Sequence, residues 1–472
     1  MKSKIFLGII ALTLGMSTLS TPTFVHADTS SELSKQIIDW PPGFGNTSYP
    51  SYTGGVNKFS FVIYDNWRQP GFIETPRNCK DILDPKCADY ASKIRSQPWG
   101  LTYNLPMCEI SQPELACIES FEIGSNGIFS KVSQIGSVNG LVWPENKKYG
   151  VPLSGKPSLW KDTSTDDPRV GYVLGVHQSL QGSYLKSTPL NSMLNIQVAR
   201  YVVLPKSGIP ANIPSSPTTT SVSRKPYCAW QDLNQCAYKL PFLPNTSFKV
   251  IIHVSNQMTG WFYGRMKNSS LKVEPISPKL NKLSVESEPI SIPFFAATVD
   301  CKDAPQFKCN TGFSVSSGVP INFPLDPIVT ALHDQAIVDV PSWSLTSYSQ
   351  SPKAKCKFSS TSIAGLVTSN ATTFSGQPPV MENSMLTYKL SALHLDKNGE
   401  VFKGQYELQL DSSLAKCLWN LKTQKPKAEV SITSESGKSE VATSTFAAIN
   451  GFFRLQANGF TFSNPTIAVK LS

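Results

Sequence analysis

The ten cysteines constrain this chain more than any other residue type, because eight of them fall in four close pairs. Cys79 and Cys87 bracket "CKDILDPKC", Cys228 and Cys236 bracket "CAWQDLNQC", and Cys301 and Cys309 bracket "CKDAPQFKC", each enclosing seven residues. Cys108 and Cys117 enclose eight. Structural zinc knuckles space paired ligands about two to four residues apart, and no C-x-x-C occurs, so neither a zinc site nor a thioredoxin-like redox motif is expected. An even number of cysteines without metal spacing points to a disulfide framework, which forms in oxidising compartments. With the four local pairs assigned, Cys356 and Cys417 remain for each other. Ten cysteines also allow other connectivities, and adjacent pairs could exchange partners.

The N-terminus agrees with that compartment. Lys2 and Lys4 precede an apolar run from Ile5 to Leu14, followed by a polar stretch with Val25 and Ala27 at a cleavage position. This is the pattern of a secretory signal, and residues 1–27 are expected to be removed. The apolar run is too short to span a bilayer. No lipid-anchor cysteine follows the cleavage position, and the C-terminal "TIAVKLS" reads as an alternating strand. A secreted or extracellular protein is expected, possible association with the cell wall included, with no transmembrane span in the mature chain.

A chain with 36 Pro, 29 Gly and only 16% charged residues has few places for long solvent-facing helices. Two short ones are expected, at "DTSSELSKQIIDW", where Thr29 and Glu32 form a capping box, and at "DPKCADYASKIRS", with Pro85 in the first turn. Elsewhere short alternating runs such as "KFSFVIY", "LNIQVARYVVL" and "SFKVIIHV" dominate. Strands separated by turn signals imply an all-β, multidomain protein of immunoglobulin-like or related β-sandwich modules stapled by disulfides. The expected organisation is an N-terminal β-rich region with short helices over 28–204, a linker or long loop over 205–226, a middle β domain over 227–337 and a C-terminal sandwich over 338–472.

The last module is the easiest to read. "LTYKLSALHLDKNGEVFKGQYELQL" reads as a hairpin with a type I′ turn at Asn398-Gly399. Alternation puts Tyr406, Leu408 and Leu410 on one face and Glu407 and Gln409 on the other. A second hairpin is expected around Ser436-Gly437, and Ile467, Val469 and Leu471 are expected to point inward. Cys356 and Cys417 would clip two strands together. The tryptophan that immunoglobulin domains bury between their cysteines is absent, since Trp343 precedes the pair and Trp419 follows it.

The segments "GLVTSNAT", "AKCLW" and "GFTFSNPTIAVKL", with the hairpin above, resemble the closing module of an uncharacterised family of secreted, β-rich surface proteins of actinobacterial type. "SGKPSLW", "CAW" and "TGWFYGRM" resemble segments upstream in the same family. The resemblance spans most of the mature chain and is strongest over its last 130 residues. It implies a secreted or surface-associated multidomain β protein and no particular activity, so no functional residue is carried over.

Catalytic patterns exclude themselves. His177, His253, His333 and His394 are scattered, and there is no H-E-x-x-H, G-x-S-x-G or phosphate loop. "HD" at His333-Asp334 reads as a polar turn. A glycosidase carboxylate pair leaves no local spacing to read, so that class stays open. "DKNGEVFKGQYE" has its glycine at the fourth loop position instead of the sixth and fails as an EF-hand. "DTSTDDP", with Asp162, Asp166 and Asp167, could gather oxygen ligands for Ca²⁺ but reads instead as an acidic surface turn before a proline. No catalytic residue, metal or cofactor is assigned.

Two features bear on binding. In "TGWFYGRM", Trp261 and Tyr263 share one face of a strand and Phe262 the other, so the pair could form an aromatic platform for sugars or peptides if that face were open. The alternative is a strand covered on both faces. The formal net charge of +10 falls to +8 once Lys2 and Lys4 are removed. It is carried mostly by dispersed lysines, which excludes specific nucleic-acid recognition but suits loose attraction to cell-wall polyanions or glycans. The reading is a non-catalytic, secreted or cell-surface binding or adhesion protein. A structural cell-wall or surface-layer component and an extracellular carbohydrate-acting hydrolase are the alternatives.

Overall fold

The computed structural model describes residues 101–110, 115–138, 153–183, 186–205, 235–256, 258, 260–294, 334–336, 338–348, 356, 363–374, 378–422, 426–433, 439–440, 443–462 and 466–472, with short strand segments at 62–64, 72–73, 99–100, 228–232, 296–299 and 313–316. The expected signal segment, both expected helices, the linker expected over 205–226 except Pro205, which ends a strand, and the Cys79–Cys87 and Cys301–Cys309 pairs lie outside the described residues. The protein is all-β and multidomain. Among the described residues there is one α-helix, Ser412–Trp419, which the sequence reading did not anticipate.

One large sheet runs through the molecule. From the middle of its N-terminal half, the order is Trp99–Asn104, Val170–Ser183, Lys186–Pro205, Ser344–Tyr348, Gly260–Arg265, Ile363–Ser369, Lys403–Asp411, Phe452–Thr461 and Thr443–Ile449. Hydrogen bonds therefore cross the boundary expected at residue 338, since Ser344–Tyr348 pairs with both Lys186–Pro205 and Gly260–Arg265. The strands Gly260–Arg265 and Ile363–Ser369 pair in parallel, within surroundings that are otherwise antiparallel.

Two smaller sheets cover opposite faces of this shared sheet. A five-stranded sheet, ordered Lys267–Pro275, Leu280–Glu288, Ser247–Ser255, Cys117–Ser125 and Ile128–Lys131, packs on the N-terminal half. Its inward residues, among them Phe121, Phe248, Val250, Ile252, Leu283 and Val285, meet Tyr172, Leu174, Leu194 and Ile196. Phe248 is the hub, with its ring centroid 5.7 Å from Phe121, 5.6 Å from Tyr172 and 6.0 Å from Trp343. A six-stranded sheet containing Met385–Ser391, Thr466–Leu471 and Ala428–Thr433 packs on the other face of the C-terminal half. There Tyr388, Ile467, Val469 and Leu471 meet Tyr406, Leu408, Leu410 and Leu455. The inward set expected from alternation is thus the one observed.

Gly260–Arg265 shows how one sheet serves two cores. Phe262 enters the first core, while Trp261 and Tyr263 enter the second. Gly365 admits the Trp261 indole, because a Cβ at that position would stand 2.7 Å from the ring and 2.1 Å from the Gln409 carbonyl.

Two expectations about the last module need correction. Met385–Ser391 and Lys403–Asp411 do not pair with each other. The first belongs to the six-stranded sheet and the second to the shared sheet, so the intervening chain crosses the sandwich. At its tip Gly399 has φ +81 while Asn398 does not enter the left-handed region, and Asp396 accepts from the Asn398 and Glu400 amides. This is not a type I′ turn. Left-handed residue pairs instead close hairpins at Asn126-Gly127, Asn383-Ser384 and Asn450-Gly451. The expected pairing around Ser436-Gly437 does form, Ile432 opposite Glu440, although the turn itself lies outside the described residues.

Cys356 and Cys417 are bonded, as are Cys108 and Cys117. The first bridge does not join two strands, because Cys417 lies in the helix Ser412–Trp419. That helix is capped by the Asp411 carboxylate, which accepts from the Leu414 amide at 2.8 Å, and it ends at Asn420 in the left-handed conformation. Cys236 is also disulfide-bonded, while the side chain of Cys228 lies outside the described residues. Among the described residues no cysteine is free.

Candidate functional site

The five-stranded sheet ends at the edge strand Lys267–Pro275, and beyond that edge the shared sheet changes character. On the same face of the shared sheet, Gln405 stands opposite Asn458, Glu407 opposite Gln456 and Gln409 opposite Arg454; the edge strand covers Glu407 and Gln409, while Asn458 is exposed. Thr368 continues the Glu407 row on the next strand, and Thr445 continues it on the other side. Residues directly opposite one another share a face, so this is a polar ladder four strands wide. Gly459, at φ +85, forms a bulge that realigns Asn458 with Gln405.

Glu407 anchors the ladder. It is 4% exposed, and both carboxylate oxygens are occupied. Oε1 accepts from the Ser269 hydroxyl and from Gln409 Nε2 at 3.1 Å. Oε2 accepts from Arg454 Nη2 at 2.9 Å and Gln456 Nε2 at 2.8 Å. A buried carboxylate with four donors is compensated and rigid. Gln409 also accepts from the Leu271 amide and donates to the Ser269 carbonyl, which ties the edge strand to the ladder.

Between the edge strand and the ladder lies a cleft of about 170 Å³. Its polar wall is formed by Asn268, Gln405, Glu407, Gln456 and Asn458, and Lys267 stands at the rim in an ion pair with Glu288 at 3.3 Å. The side-chain amides come from both sheets, Asn268 from the edge strand and Gln405, Gln456 and Asn458 from the shared sheet. Glu407 is the single carboxylate among the lining residues. Sequence reasoning placed Glu407 and Gln409 on the outward face. It missed that the edge strand descends over them, because the contact joins residues about 140 positions apart.

The residues singled out in the sequence lie elsewhere. Trp261 and Tyr263 are 5% and 1% exposed in the second core, so they form no open platform. Asp162 is buried in an ion pair with Arg200 at 2.8 Å, and Asp167 pairs with Arg169 at 2.7 Å, so the two carboxylates are neutralised separately. Hydrogen bonding from Arg169 holds the Asp167 carboxyl below its usual range. Asp334, at φ +58, is bound to the His394 ring and accepts from its amide at 2.9 Å. His333 lies outside the described residues. His177 is buried on the shared sheet, opposite Asn104 and Asn195.

His253 has a partner set of its own. Its Nδ1 lies 3.8 Å from Cys108 Sγ and 3.5 Å from Cys117 Sγ, and its Nε2 lies 2.8 Å from Glu119. Lys282 Nζ donates to the other Glu119 oxygen at 2.6 Å. Burial acts to raise the Glu119 carboxyl, but hydrogen bonds and charge from Lys282 and His253 outweigh it and hold the group below its ordinary value.

No family model matches the chain, and no curated protein is significantly similar to it.

Proposed function

We propose that the protein is a secreted or cell-surface binding or adhesion protein, non-catalytic, whose cleft receives one hydroxyl-rich unit of a glycan or cell-wall polymer. The observation that carries this reading is the pair Gln405 and Asn458, directly opposite each other on the cleft wall, beside Asn268 and Gln456, whose amides are tied to Glu288, Glu407 and each other. A sugar hydroxyl both donates and accepts, and a side-chain amide offers one group of each kind, so two facing amides on a rigid sheet suit vicinal hydroxyls. The cleft is smaller than the pockets of roughly 300–1,000 Å³ that enclose drug-sized ligands, which matches a single sugar unit.

The same geometry weighs against glycoside hydrolysis at this cleft. That reaction takes two carboxyl groups about 5 to 9.5 Å apart, one of them able to carry a proton. Here one carboxylate lines the cleft, and its oxygens already hold four donors. The dispersed positive charge would draw wall polyanions toward the surface without selecting among them. The resemblance to secreted surface proteins of actinobacterial type agrees with this placement and remains part of the proposal.

The test is a glycan and cell-wall-polymer array probed with the mature protein. Binding to a defined set of neutral or weakly charged glycans supports the reading. Binding to none, or to every polyanion alike, counts against it.

A further inference from the structure

The Cys108–Cys117 bridge differs from a purely structural staple in what surrounds it. Cys117, His253 and Lys282 stand directly opposite one another on three neighbouring strands, and a register shift next to Glu119 brings its carboxylate to the same side. In the neutral imidazole, donation from Nε2 to Glu119 leaves the Nδ1 lone pair facing both sulfurs. A bonded disulfide has no proton to offer that lone pair. A carboxylate behind one ring nitrogen, with the other nitrogen aimed at two cysteine sulfurs, is the arrangement that orients a histidine metal ligand.

We propose that Cys108, Cys117 and His253 form a redox-gated metal site that binds one Zn²⁺ ion once a dithiol reductant has opened the bridge. One thiolate of the reductant attacks Cys108 Sγ, the half-buried sulfur; the S–S bond breaks and its electron pair leaves on Cys117 Sγ. The second thiol of the reductant then displaces Cys108, which yields the reductant's own disulfide and two cysteine thiols. Zn²⁺ replaces the two thiol protons, which pass to solvent, and takes His253 Nδ1 as third ligand and water as fourth. Tetrahedral zinc with bonds of about 2.0–2.3 Å keeps its ligand atoms roughly 3.4–3.8 Å apart. The two nitrogen–sulfur distances already have that size, at 3.5 and 3.8 Å, so only the sulfurs must part. Thiolate and imidazole together favour zinc over calcium or magnesium.

The test uses the full-length protein, reduced with dithiothreitol under native conditions, freed of reductant without oxygen and titrated with Co²⁺ as the spectroscopic probe. A thiolate-to-cobalt absorption band that saturates at one ion per chain and is displaced by Zn²⁺ is the expected result. The band should be absent from the Cys108→Ser/Cys117→Ser double variant, in which the other cysteines remain reducible. Apparent affinity should fall about 10- to 100-fold in Glu119→Gln, which keeps all three ligands. The proposal is overturned if alkylation mapping finds Cys108 and Cys117 still bonded after reduction. It is equally overturned if both are free thiols without a cobalt band, if the double variant shows the same band, or if Glu119→Gln binds as tightly as the parent.

Discussion

His177 shows how a buried residue couples this fold to pH. It lies between Asn104 and Asn195 on neighbouring strands, 3% exposed, and burial lowers its pKa to about 3. Unfolded histidine titrates near 6.5, so the unfolded chain takes up this proton first as pH falls. The histidine therefore costs nothing above about pH 6.5, and it erodes stability from there down toward pH 3 by roughly 1 kcal/mol per unit. Urea midpoints measured from pH 7 to 4 should fall more steeply for the parent than for His177→Gln, and parallel curves would refute the assignment. Trp261 carries the second residue-scale expectation. Its indole packs over Gly365 in the core, so Trp261→Ala should cost about 3–5 kcal/mol in chemical denaturation. A loss below about 1 kcal/mol would mean that the side chain is exposed, as a binding platform requires. The triplet at 261–263 could be assigned to alternate faces from sequence, but whether each face was covered depends on two sheets drawn from distant segments.

At the scale of elements, the helix Ser412–Trp419 depends on two local devices. Asp411 caps its first turn, and the Cys356–Cys417 bridge fastens its last turn across 61 residues of sequence. Asp411→Ala should lower stability by about 1 kcal/mol, read as a shift in urea midpoint. Replacing both cysteines by Ala should lower it by about 4 kcal/mol, because the unfolded chain regains the freedom of the closed loop. An unchanged melting temperature in the second case would show that the bridge contributes nothing to the native state. Period-two alternation made Tyr406, Leu408, Leu410, Ile467, Val469 and Leu471 legible as core. It could not tell that the segment from Met385 to Asp411 crosses from one sheet to another, because a turn signal at Asn398-Gly399 reports a local bend and not which strands pair. Asn450-Gly451, which does close a hairpin, carries the same local signal. The helix was hidden for a similar reason: eight residues with two of them buried leave little periodic pattern.

For the whole molecule, the organising feature is one sheet with a different cover on each half of its two faces. The cleft exists because the five-stranded sheet stops at Lys267–Pro275 while the shared sheet continues, and the uncovered surface carries amides in place of apolar side chains. Binding through this cleft and attraction through dispersed lysines differ in their response to salt, since exposed charges are screened over about 8 Å at physiological ionic strength. The decisive measurement is the affinity of the mature protein for isolated cell-wall material across a salt series, made in parallel with a Gln405→Ala/Asn458→Ala variant whose unfolding curve matches the parent. Binding that persists at physiological salt in the parent and falls by about 10-fold or more in the variant is the expected result. Binding that disappears with salt, or that the variant retains in full, would contradict recognition by the amide-lined cleft.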